Sequence, residues 1–130
     1  MSDYVTLSDL TLAYGKTVAV EALNLGIREG ELIALLGPSG CGKTTTMRAI
    51  AGLLAPRSGK ISIDGRDVTR VAPSQREVGL VFQSYALFPH LTVKQNITFG
   101  LEMQGTGRKQ ADGRAEEMLE LVRLEEYGDR

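Results

Sequence analysis

The sequence predicts an α/β fold: one strand-loop-helix unit set against an antiparallel β subdomain, followed by the start of an α-helical subdomain. Three observations predict it. Gly37-Pro38-Ser39-Gly40-Cys41-Gly42-Lys43-Thr44 matches the phosphate-cradling pattern G-x-x-x-x-G-K-[ST] at every fixed position. Loosely alternating segments separated by glycine turns surround that unit. From Thr92 onward, apolar residues recur at helical spacing.

The elements follow in chain order. Tyr4 to Leu12 alternates loosely and reads as a strand, and Gly15-Lys16 makes a turn. Val18-Ala19-Val20 through Ile27 reads as a second strand, antiparallel to the first. Glu29-Gly30 turns the chain into Glu31-Leu32-Ile33-Ala34-Leu35-Leu36, an apolar run expected to form a buried strand. After the glycine loop, Thr45 to Ala51 is helical and stops at Gly52. Lys60 to Gly65 is a short strand ending in an Asp-Gly turn. Val78-Gly79-Leu80-Val81-Phe82 is a second apolar run expected to be a buried strand, ending at Gln83.

Thr92 and Gln95 form a capping box, and Val93, Ile97 and Leu101 then share one face. Ala111, Ala115, Met118, Leu119 and Val122 mark a further amphipathic helix, weakened at Gly113. The expected spans are therefore 1–30 and 60–75 for antiparallel β and 31–56 for strand-loop-helix. Residues 76–90 are expected as strand and loop, and 91–130 as the start of the helical subdomain.

The loop's chemistry follows from its residue types. Gly37, Gly40 and Gly42 let the backbone turn its N–H groups toward a polyphosphate. The helix behind them adds about half a positive charge at its N-terminus. Lys43 supplies a point charge for the β and γ phosphates, and the Thr44 hydroxyl is placed for Mg²⁺.

Tyr14 is a candidate to stack on a base, or else a surface tyrosine on its own hairpin. Gln83, at a strand end, offers an amide oxygen to Mg²⁺ or to an attacking water, or simply ends the strand. Tyr85, Leu87 and Phe88 are apolar residues in a loop and suggest a docking surface or a local core. His90, beside Pro89, reads as structural, and Glu116, Glu117 and Glu120 read as a solvated face.

Composition narrows the class. With 130 residues, 42% hydrophobic and 24% charged, the chain has the balance of a globular domain with its own core. A net charge of −1 points to no nucleic acid or anionic lipid partner. Cys41 is the only cysteine, so no internal disulfide forms. Met1-Ser2-Asp3 lacks the pattern of a signal peptide, and no stretch approaches ~20 apolar residues. A membrane connection would run through a partner.

Together these residues resemble the nucleotide-binding domain of ABC transporters, which has a P-loop NTPase (RecA-like) core. Tyr14 is similar to the aromatic A-loop residue, Gly37 to Thr44 to Walker A, and Gln83, 40 positions after Lys43, to the Q-loop glutamine. The words Leu53 to Gly59, Ile63-Asp64-Gly65 and Phe82 to Val93 match as well, the last most like bacterial importers of polyamines, ferric iron, sulfate, phosphonates or sugars.

The resemblance implies that Tyr14 stacks on adenine and that Gly37, Pro38, Ser39, Gly40, Cys41, Gly42, Lys43, Thr44 and Thr45 bind ATP with Mg²⁺. It implies metal roles for Thr44 and Gln83 and catalytic roles for Lys43 and Gln83. It also implies docking of permease subunits by Tyr85, Leu87 and Phe88, a second ATP-binding subunit as homodimer partner, and indirect work with a periplasmic solute-binding protein. The implied place is the cytoplasmic face of the cell membrane.

An LSGGQ signature, a Walker B aspartate with its glutamate, a D-loop and a switch histidine do not occur before Arg130. The chain is therefore expected to be a truncated domain that binds ATP without turning it over. Its two apolar runs are expected to leave exposed edges and a marginal fold. Two other classes compete. A GTPase would carry N-K-x-D, which is absent, and a docking module would use only Tyr85 to Val93.

Overall fold

The computed structural model describes residues 2–38, 40 and 42–130, in two compact units divided after Leu80. Ser39 and Cys41, both expected in the phosphate loop, lie outside the described residues.

The first unit is built on a hairpin of β1, Val5–Tyr14, and β2, Thr17–Ile27, closed by the two-residue turn Gly15-Lys16 with Gly15 at φ 57°. β3, Ser58–Ile63, pairs with the other edge of β1, and the short β4, Arg66–Asp67, pairs with β3. All pairings are antiparallel, in the order β2-β1-β3-β4.

Leu7, Leu10 and Leu12 are all buried. A strict two-residue alternation cannot put Leu7 and Leu10 on one face. The register of β1 against β2 shifts between them, and Asp9 there has φ 47°. One extra residue at that bulge returns Leu10 and Leu12 to the core side. The distorted ladder is repaired by side chains. The Asp9 N–H donates to Asn24 Oδ1 at 3.0 Å, and the Ala22 N–H donates to Thr11 Oγ1 at 3.1 Å. Gly59 faces the bulge at φ 93°, where a Cβ would lie 2.7 Å from Leu10 Cα. With Ala49, Ile61, Ile63 and Val68, the three leucines form the core.

One helix, α1, Lys43–Ala51, lies against β1 and β2 and buries Thr45, Thr46, Ala49 and Ala51. Glycine sets both ends. Gly42 precedes it at φ 93°, and Gly52 ends it at φ 91°. There the N–H groups of Gly52 and Leu53 close back onto Ala49 and Arg48, a left-handed cap that stops the helix.

The strands expected at Glu31–Leu36 and at Val78–Phe82 do not form. Neither run joins the sheet, and Leu32 and Leu36 are 97% and 90% exposed. An apolar run becomes a strand only where a partner satisfies its backbone groups. No other segment among the described residues provides one. The sheet that does form is wholly antiparallel, and the parallel part of the expected α/β layer is confined to these unpaired runs.

The second unit holds α2, Val93–Met103, and α3, Arg108–Leu121, packed on each other. The capping box is present. Gln95 N–H donates to Thr92 Oγ1 at 3.1 Å, and Thr92 N–H donates to Gln95 Oε1 at 2.9 Å. Ala111, Ala115 and Leu119 are buried as expected, whereas Val122 is exposed beyond the helix end. On α2, the residue that goes fully inside is Thr98; Val93, Ile97 and Leu101 are half-buried. The Lys94 ammonium lies 3.5 Å from Glu116 and 4.0 Å from Asp112, which ties α2 to α3.

Candidate nucleotide site

Lys43 is the first residue of α1. Its ammonium reaches back across the loop and donates to the Gly37 carbonyl. The side chain therefore lies back along the loop. No side chain caps this helix end, and no acidic residue stands in its first turn. Its first-turn N–H groups and the positive end of its dipole are thus left for an anion. Gly42 brings the loop onto β2: a Cβ there would lie 2.6 Å from Val20 Cγ2 and 3.1 Å from the Ala19 carbonyl oxygen. Thr46 donates its hydroxyl to the Gly42 carbonyl at 2.8 Å, Thr45 is buried, and Thr44 remains exposed.

Tyr14, at the end of β1, sits next to this helix. The Thr45 side chain beside the phenol holds its pKa below the usual tyrosine value; desolvation opposes this, and Arg48 adds to the lowering. The ring stays 47% exposed. Arg57 donates to the Gly15 carbonyl and fixes the turn that carries Tyr14. The structure therefore brings Tyr14, distant in sequence, to the helix start that carries Lys43, Thr44 and Thr45, with Gly37 held by Lys43.

Gln83 belongs to the second unit, exposed in the turn closed by the Tyr85 N–H to the Phe82 carbonyl at 2.9 Å. In that unit Tyr85 and Leu87 are exposed, and Phe88 packs on Phe99 with ring centroids 4.6 Å apart. His90 approaches Phe88 edge-on at 5.9 Å, in keeping with a structural role. Asn96 grips the loop. Its Oδ1 accepts from the Phe88 N–H at 2.9 Å, and its Nδ2 donates to the carbonyls of Phe88, Leu91 and Thr92. Sequence reading singled out neither Asn96 nor Arg48. Each sits in a polar stretch whose pattern marks it in no way.

A family model described as ABC transporter matches residues 20–130. This chain belongs to the ABC transporter family. Curated relatives agree with that membership. The Fe(3+) ions import ATP-binding protein of Haemophilus influenzae is 49% identical over 129 residues, which are 99% of this chain and 39% of that protein. The sulfate/thiosulfate import ATP-binding protein of Gloeobacter violaceus is 51% identical over 97% of this chain and 37% of its own length. The spermidine/putrescine import ATP-binding protein of Thermobifida fusca is 56% identical over 88% of this chain and 29% of its own length.

Among solved structures, a dimeric ATP-binding cassette in a post-hydrolysis state, bound to ADP and Pi, superposes with a TM-score of 0.86 and 30% identity. It covers 97% of this chain and 60% of that one. The ABC chain described here thus spans between 29% and 39% of the length of these curated relatives. Its fold is the N-terminal part of the α/β P-loop ATPase of this family.

Proposed function

We propose that this chain binds MgATP and forms the ATP-binding part of an ABC importer subunit that couples ATP hydrolysis to solute uptake. The observation that carries the reading is Lys43 at the uncapped N-terminus of α1, turned back over the loop, with Tyr14 held against the same helix. Lys43 would pair with the β and γ phosphates, while the backbone N–H groups of Gly40 and of Gly42 to Thr45 would donate to the phosphate oxygens. Tyr14 is the stacking surface for adenine once its ring swings over the base. Thr44, exposed beside Lys43, would offer its hydroxyl oxygen to Mg²⁺. The bound cation would supply charge neutralisation at the phosphates.

Lys43 would act by charge on the transferring phosphate; Gln83, which belongs to the second unit, would offer an amide oxygen able to orient a water. Turnover is assigned to the whole protein, paired with a second ATP-binding subunit. Tyr85, Leu87 and Phe88 form the surface for a membrane permease, and a periplasmic solute-binding protein enters only through that permease. On this reading the protein is peripheral on the cytoplasmic face. No described helix is long and apolar enough to cross a membrane, so contact with the bilayer would run through the permease.

Displacement of a fluorescent ATP analogue tests the site. Lys43→Ala should abolish MgATP binding, and Tyr14→Ala should weaken it about tenfold, the loss of one stacked aromatic contact. Unchanged affinity in both variants refutes the assignment. Preference for GTP would favour another class of phosphate-loop enzyme.

A further inference from the structure

We propose that Arg76 is a positioning residue of the nucleotide site: it locks the C-terminal end of α1 and so sets where the N-terminal end presents Lys43 and Thr44. The proposal rests on the reading of that helix end as the phosphate site. Arg76 is 3% exposed, yet it takes part in none of the ion pairs among the described residues. Its guanidinium donates to carbonyls from two places. Two belong to the last turn of α1: Ala49 at 2.8 Å and Ile50 at 3.1 Å, both from Nη1. The others belong to the strap after β4: Val71 at 2.8 Å from Nε and Thr69 at 3.4 Å from Nη2.

A buried cation needs compensating negative charge. Here the negative end of α1's dipole supplies it, through the last-turn carbonyls of Ala49, which also accepts from the Gly52 N–H, and Ile50. The strap is anchored in its turn to the sheet. The Val68 N–H donates to the Ile61 carbonyl at 2.9 Å, and the Ile61 N–H donates to Thr69 Oγ1 at 3.0 Å. Arg76 therefore joins α1 to β3 through a planar fork that lysine cannot reproduce. Gly52 carries an independent mark of the same contact. A Cβ at Gly52 would lie 2.8 Å from Arg76 Nε and 3.1 Å from its Cζ.

The geometry makes this end matter to the other. Nine residues of helix span about 13 Å, so a tilt of about 4° at the clamp moves Lys43 by about 1 Å. A displacement of that size is enough to degrade a site built on aligned N–H groups.

The test uses the chain with Arg76→Ala, Arg76→Lys, Gly52→Ala and Lys43→Ala. MgATP affinity comes from displacement of the fluorescent analogue, corrected for the folded fraction measured by circular dichroism in the same samples. Arg76→Ala should lose about tenfold in affinity per folded molecule. Low-millimolar guanidinium ion should restore most of it, where equal sodium chloride does not. Gly52→Ala should lose a similar factor without rescue, because its methyl occupies the guanidinium's place. Arg76→Lys should lose about threefold, and it carries the test if Arg76→Ala does not fold.

A lower melting point with unchanged affinity per folded molecule in the Arg76 and Gly52 variants would overturn the proposal in favour of a purely stabilising role. Unimpaired binding by Lys43→Ala would instead overturn the site reading beneath it, so the two failures are distinct.

Discussion

The sheet β1–β4 and the run Glu31–Leu36 belong to one compact unit and both read as strands in the sequence, yet only the sheet forms. Leu7, Leu10 and Leu12 are buried in a ladder, whereas Leu32 and Leu36 are almost fully exposed. The difference is where each strand finds its partner. β1 meets β2 across a two-residue turn and meets β3 within the same unit. Such partners are close in sequence, and antiparallel pairing needs no crossover. Glu31–Leu36 instead leads into α1, and a parallel partner for such a run lies across a crossover, distant in sequence. Glu31–Leu36 meets none among the described residues. Hydrophobicity selects the candidates for strands, and the supply of partners decides which of them pair.

The largest expected effect sharpens that contrast. Leu12→Ala removes a fully buried side chain and should cost about 2–5 kcal/mol in a urea melt. Leu36→Ala, at an exposed position, should change stability by no more than about 0.5 kcal/mol. Equal losses would place the two runs in one core and break the comparison.

Next comes the joint between the loop and the sheet. Gly42→Ala puts a Cβ against Val20 at a residue with φ 93°. The strain should cost about 1–3 kcal/mol and lower MgATP affinity together with the melting point.

The smallest effect is in acid. Asp67 is held below the usual carboxylate range by the Thr69 hydroxyl first, then by the Thr69 N–H, with a lesser pull from Lys60. Glu31 is held down by the Arg28 N–H first and then by the Arg28 side chain. A depressed folded pKa means stabilisation present above the unfolded pKa and lost as pH falls through the folded one. Carboxyl carbon shifts should therefore titrate below the ordinary range for both. Stability should slip only below about pH 4, with β4 loosening as Asp67 takes its proton.

Much of this was legible in the sequence because the signals are local. Gly42 and Gly52 bracket α1, Gly15-Lys16 turns the hairpin, and Thr92 with Gln95 announces α2. The proposed phosphate loop is read from spacing alone, since its pattern lies in consecutive residues. The β1 bulge was there to be seen in the phase change from Leu7 to Leu10, which a loose alternation conceals. Arg76 was not legible. Its meaning comes from carbonyls at residues 49, 50, 69 and 71 meeting in one place, and no sequence window contains that meeting. Glu31–Leu36 reads as buried in the sequence, because an apolar run carries no mark of whether another segment pairs with it.

Native-state hydrogen exchange tests the central claim most directly. The account predicts that the ladder amides of β1 are protected at least ~100-fold more than those of Leu32 to Leu36, which should exchange near the rate of an open chain. Protection of Leu32 to Leu36 equal to that of β1 would contradict it.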